Sequence, residues 1–102
     1  MTDSQINALG KILLKLREVP VGTKYKSGKV QTATAYWIAK KHGINPALIN
    51  NFKNRTGHVG PGQARRVACA IIHEAIEASV AFDEELFAEF LEDERVHADT
   101  VA

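Results

Sequence analysis

The 102-residue chain has one cysteine, Cys69, so no intrachain disulfide can form; this suits a reducing compartment, and the expected location is the cytoplasm. It lacks any apolar run near the roughly 20 residues needed to cross a bilayer, which argues against a membrane protein. The stretch from Ile6 to Leu16 is apolar but broken by Lys11 and Lys15, and no small-residue cleavage site follows, so it does not read as a signal peptide. Internal repeats are absent. Composition is that of an average globular protein, with 45% hydrophobic and 25% charged residues, which excludes a disordered tail, a collagen-like fibre and a disulfide scaffold. The length fits one domain with one modest core.

Acidic side chains are missing altogether between Val19 and Arg66, where nine Lys or Arg residues stand. Met1 to Arg66 holds twelve basic and two acidic residues, whereas Val67 to Ala102 holds ten acids against one basic residue, Arg95. The formal net charge of +1 therefore conceals a basic region suited to a polyanion and an acidic region that is not. Intramolecular pairing of the two ends, or two merely solvated faces, is the alternative reading of the charge.

Recognisable catalytic and metal chemistry is also missing. Cys69, His73 and Glu77 share a helical face, but three ligands from one helix cannot close a tetrahedron, so Cys69 reads as a core residue and no metal or other cofactor is expected. His42, His58 and His97 are scattered, with no Ser-His-acid or Cys-His spacing, and an enzyme is not expected. No phosphate-cradling GxxxxGK[ST] run occurs; Gly57, Gly60 and Gly62 fit a turn before a helix. Glu92, Asp93 and Glu94 fit a solvated helix end, and no small-molecule ligand is evident.

What is present is helical periodicity. Ser4 or Asp3 is expected to cap a first helix reaching about Glu18, with Ile6, Leu9, Ile12, Leu13 and Leu16 on one face and Pro20 as its stop. Residues 19–31, with Pro20, Gly22 and Gly28 and alternating Val21, Thr23 and Tyr25, read as a short basic hairpin or a mobile loop. Thr34 is the expected cap of a second helix, Ala35 to His42, ended by Gly43, and Asn45 that of a third beginning at Pro46 and reaching Lys53 or Asn54. Gly60-Pro61 starts a fourth helix reaching Val80, its buried stripe formed by Val67, Ala68, Ile71, Ile72, Ala75, Ile76 and Val80. Asp83 is expected to cap a fifth, acidic helix with Leu86, Phe87, Phe90 and Leu91 on its apolar side. The expected fold is all-α.

Within this pattern, Ala39 is small where two helices approach closely, and Gly43 suits a left-handed turn. Ile38, Ile44, Ile49 and Phe52 supply apolar pegs between the second and third helices, the spacing of a helix-turn-helix. These residues, with the polar cap Asn45, polar Asn50, the tail Lys53 and Asn54, and downstream Pro61, Ala64, Arg65, Val67 and Ala68, resemble the Cro/CI-type (XRE-like, lambda-repressor-like) helix-turn-helix regulators of phages and bacteria. The resemblance covers about residues 34–72. Three features depart from the family pattern: Ala35 stands where many members have glutamine, His42 occupies a position usually apolar, and the connection from Val19 to Thr34 is long.

The resemblance implies a five-helix lambda-repressor-like bundle, with residues 1–82 as the DNA-binding domain and the acidic helix of 83–102 as a dimerisation element of the same domain. It also implies a sequence-specific regulator, a phage or plasmid repressor that binds double-stranded DNA as a homodimer, with helix 46–54 in the major groove. Asparagine amides can donate to and accept from adenine together, and apolar groups can meet thymine methyls, so Asn45, Pro46, Ala47, Asn50, Asn51 and Asn54 are the candidate base contacts. Thr34, Lys24, Lys26, Lys29, Lys40, Lys41, Lys53, Arg55, Arg65 and Arg66 are the candidate phosphate contacts, although Arg65 and Arg66 near a helix start oppose its dipole. Phe87, Phe90 and Leu91 are candidates for the dimer interface, or else they complete the monomer core. Two other readings are a protein-interaction module, such as an antitoxin or a phage inhibitor of a host protein, and a non-specific architectural DNA binder.

Overall fold

The computed structural model describes residues 1–54 and 59–91. Among the described residues, four α-helices of eight residues or more, α1 (Asp3–Leu16), α2 (Ala35–His42), α3 (Pro46–Asn54) and α4 (Pro61–Glu77), enclose one core. A hairpin of strands β1 (Pro20–Lys24) and β2 (Val30–Thr32) joins α1 to α2. The chain is thus predominantly helical with one two-stranded sheet, the hairpin being the ordered form of the basic segment. Residues 55–58 and 92–102 are outside the described residues, and with them the expectations for Arg55, Gly57, His58, His97 and the Glu92–Glu94 cluster.

The cap of the first helix lies one residue before the nearest expected one. Thr2 Oγ1 accepts from the Gln5 amide at 3.1 Å, while Gln5 Oε1 accepts from the Thr2 amide at 3.0 Å. This reciprocal box satisfies two otherwise orphaned donors, so Thr2 is the cap rather than Asp3 or Ser4. The helix ends at Leu16, before Glu18, and Pro20 opens a strand. The antiparallel strands turn through Lys26–Lys29, where the Tyr25 amide donates to the Lys29 carbonyl at 2.8 Å.

Helix α4 is the central element, packing on α1, α2 and α3. Its buried arc is correspondingly wider than a single stripe: Val67, Ala68, Ala70, Ile71, Ile72, Glu74 and Ala75 are all inside. Ile76 is 49% exposed and Val80 half-buried, against the expected stripe. The helix stops at Glu77 because Ser79 turns left-handed, at φ 56°, and the Val80 amide reaches back to the Ala75 carbonyl at 2.8 Å. This is the Schellman closure, here with serine in the place that glycine usually takes.

The fifth helix begins differently from the expectation as well. A 3-10 turn, Glu85–Phe87, follows Glu84, and residues 88–91 continue as α-helix; Asp83 is not the cap. Phe87, Phe90 and Leu91 lie in the core of this single chain, with Phe82 and Phe90 each 6.1 Å from the Phe87 ring. Gln5 Nε2 donates to the Leu86 carbonyl at 3.0 Å, tying the segment to α1. Of the two roles expected for these residues, the single chain fills the core role, with Phe87, Phe90 and Leu91 buried within it.

Phe87 is fully buried, so Phe87→Ala removes a large side chain from a packed site and is expected to lower stability by about 3–5 kcal/mol. Chemical denaturation at two protein concentrations checks this. A loss below about 1 kcal/mol, or one that depends on concentration, would place Phe87 at an interface instead.

Candidate nucleic-acid interface

Helix α2 starts where Thr34 Oγ1 accepts from the Trp37 amide at 3.2 Å. It ends at Gly43, whose φ of 66° and ψ of 32° form the left-handed turn that glycine adopts without a Cβ penalty. The Ile44 amide then donates to the Ala39 carbonyl at 2.8 Å, and Ile44 drops into the core. Two residues on, α3 begins at Pro46, capped by Asn45 Oδ1, which accepts from the Ala47 amide at 3.0 Å.

The two faces of α3 are sharply different. Ile49 and Phe52 are buried, together with Ile38 and the fully buried Ala39 of α2, which allows the close helix approach. On the outer side Ala47, Asn50, Lys53 and Asn54 are exposed, with exposed Asn45 just before the helix. Spacings of three and four residues place Ala47, Asn50 and Asn54 on one ridge. Pro46 and Asn51, also candidate base contacts, are half-buried at its flanks. Asn45 uses its carbonyl oxygen as the cap, leaving its amide NH₂ as the group facing outward chemistry.

The candidate phosphate contacts divide into two groups. Lys24, Lys26 and Lys29 on the hairpin, Lys40 on α2 and Lys53 on α3 are exposed cations, Lys40 standing 6.0 Å from the Tyr36 ring. Thr34 serves as a cap. Three others have internal work. Lys41 Nζ meets Glu74 at 2.6 Å and stands 5.1 Å from the Trp37 ring. The Arg65 guanidinium lies 5.1 Å from the Phe90 ring. Arg66 Nη2 donates to the carbonyls of His42 and Gly43, at 3.4 and 3.2 Å. These contacts explain two arginines that oppose the dipole of their own helix.

Glu74 is the residue that sequence reasoning missed. It is only 4% exposed, and its Oε1 accepts from both Lys41 and His42 Nε2, the latter at 3.1 Å. His73 meets the His42 ring edge-on at 5.4 Å between centroids. A signal was present: a polar residue at the usually apolar position 42 requires a polar partner inside. Burial pushes the Glu74 carboxyl pKa up, but hydrogen bonds from Lys41 and His42 and the attraction of both groups outweigh it, leaving the pKa below its ordinary value.

A carboxylate with a depressed folded-state pKa contributes stability that is fully present above its unfolded pKa. That contribution is lost as pH falls through the lower, folded value. Glu74→Gln is therefore expected to cost stability at pH 7 and to flatten the acid limb of the stability-pH profile. Lys41 is 42% exposed, so solvent screens the pair and the cost is expected at about 1–2 kcal/mol, below the 3–5 of a fully buried pair. Thermal denaturation from pH 3 to 7 checks this; parallel profiles for the two proteins would contradict it.

Neither a family model, a curated protein nor a solved structure matches the chain, so the reading of this surface rests on its own geometry and charge.

Proposed function

We propose that the chain binds double-stranded DNA and regulates transcription, as a phage or plasmid repressor, by laying α3 in the major groove. The observation that carries this reading is α3 itself: a short helix anchored from behind by Ile49 and Phe52, with Ala47, Asn50 and Asn54 facing outward. The absence of acids from Val19 to Arg66 supports it, because no carboxylate in that stretch repels a phosphate backbone. Residues in the N-terminal half of such a helix meet base edges. Asn50 is the principal base reader, able to donate to and accept from one adenine, and the Ala47 methyl suits a thymine methyl. Lys40, Lys53 and the hairpin lysines neutralise phosphates. One short helix reads few base pairs, so two copies act on a two-fold symmetric site. Their contact uses surface other than the internally packed Phe87, Phe90 and Leu91.

A band-shift series with the DNA upstream of the protein's own gene, against unrelated competitor DNA, tests the proposal. Each neutralised phosphate contributes about −0.9 to the slope of log K against log salt, so five lysines predict a slope of about −4 to −5 per chain. Lys53→Ala is expected to weaken binding to every sequence and reduce that slope by about 1. Asn50→Ala is expected to cost about 1–3 kcal/mol of discrimination and leave the slope unchanged. Equal competition by unrelated DNA would favour an architectural binder. No shift at 50 mM salt would overturn DNA binding and leave a protein partner as the remaining reading.

A further inference from the structure

Arg66 and Glu74 stand on one helix, eight residues apart, and both reach the last turn of α2. Arg66 takes the backbone, donating to the carbonyls of His42 and Gly43. Glu74 takes the side chains of Lys41 and His42. The two grips differ in chemistry and occupy successive residues. The C-terminal carbonyls of a helix have no intrahelical donor and carry the negative end of its dipole, so a guanidinium there is doubly favourable. In the second turn of α4 the same charge opposes the local dipole, and its two long-range hydrogen bonds supply the compensating interaction. Gly43, held between them, is the residue at which the chain reverses into α3. Its φ of 66° is a left-handed conformation that suits glycine, and the Arg66 guanidinium packs beside it, 3.7 Å from where a Cβ would stand.

We infer that Arg66 and Glu74 are positioning residues that clamp the α2–α3 turn onto α4 and so fix the direction in which α3 presents Asn50. The inference rests on the DNA-binding reading and gives it a structural determinant of sequence discrimination. Arg66 then acts through Gly43 and not as a phosphate contact, its role in the sequence-based expectation. Because α3 starts at Pro46, a small rotation at the turn is carried into every outward side chain of the helix. Discrimination between bases depends on such alignment, whereas attraction between lysines and phosphates tolerates it.

The test compares Arg66→Ala and Glu74→Gln with the wild-type protein in two measurements. The first is the ratio of affinities for upstream and unrelated DNA, together with the salt slope. Both variants are expected to lower the ratio about five- to tenfold, close to the loss of one base contact, with the slope unchanged. A slope reduced by about 1 in Arg66→Ala with the ratio intact would overturn the clamp and make Arg66 a phosphate ligand. The second measurement is independent of DNA: amide hydrogen exchange at Gly43 and Ile44. Arg66→Ala leaves the core untouched, since Arg66 is exposed, and is expected to speed exchange at these two amides about tenfold relative to Leu9. Unchanged exchange there would refute the clamp even if DNA binding holds. A wild-type chain that binds no DNA, but whose Gly43 and Ile44 amides respond as stated, would refute the functional reading and leave the clamp standing.

Discussion

The reversal of the chain at Gly43 is the constraint on which the remaining geometry depends. A left-handed residue at the end of α2 lets Ile44 turn inward and satisfies helix-end groups by pairing the Gly43 and Ile44 amides with Ala39 and Lys40 carbonyls. From there Asn45 and Pro46 start α3 at once. Burial of Ile44, Ile49 and Phe52 then fixes which side of α3 faces the core, each such side chain contributing on the order of 1.5–3 kcal/mol. The polar ridge exists as the complement of that burial. A helix nine residues long is too short to persist alone in water, so its shape is owed entirely to this packing.

The charge layout gains a second meaning once contacts are considered. In sequence, all nine basic residues between Val19 and Arg66 look equivalent. In the fold, Lys41, Arg65 and Arg66 are attached to Glu74, to the Phe90 ring and to the turn carbonyls, respectively. Two of these ties join the basic region to the acidic one, and the third joins α4 to α2. The other described cations of that stretch, Lys24, Lys26, Lys29, Lys40 and Lys53, are exposed and stand on the hairpin, α2 and α3. The proposed duplex contact therefore draws on fewer charges than the sequence offers, arranged on a narrower set of elements.

Much of the helical framework was legible in the sequence because its signals are local. Thr34, Gly43 and Asn45-Pro46 mark the ends of α2 and α3 by chemistry that acts within three residues, and these boundaries agree with the structure. The apolar residues Leu9, Ile12, Leu13 and Leu16 are buried as their spacing implied. The differences have separate physical origins. At the end of α4 a serine occupies the left-handed position, so the glycine that normally announces a helix stop is missing. At Glu74 and Arg66 the partners lie 32 and 23 residues away, and a pairing at that distance leaves no periodic trace. The capping box of α1 was present as Thr2-x-x-Gln5 but was masked by two adjacent residues of good capping type. The sequence alone does not separate a core role from an interface role for Phe87, Phe90 and Leu91, because exposed and buried aromatic stripes look alike until packing is known.

The central claim is that the outward ridge of α3 meets a duplex. Titrating the isotope-labelled protein with its upstream DNA and following backbone and asparagine side-chain amide resonances tests it most directly. The predicted result is that Ala47, Asn50 and Lys53 shift most, with smaller changes at the hairpin tip around Lys26 and little change at Leu9 or Ile71. Shifts confined to the hairpin, or to the acidic segment beyond Ser79, with α3 unperturbed, would contradict it.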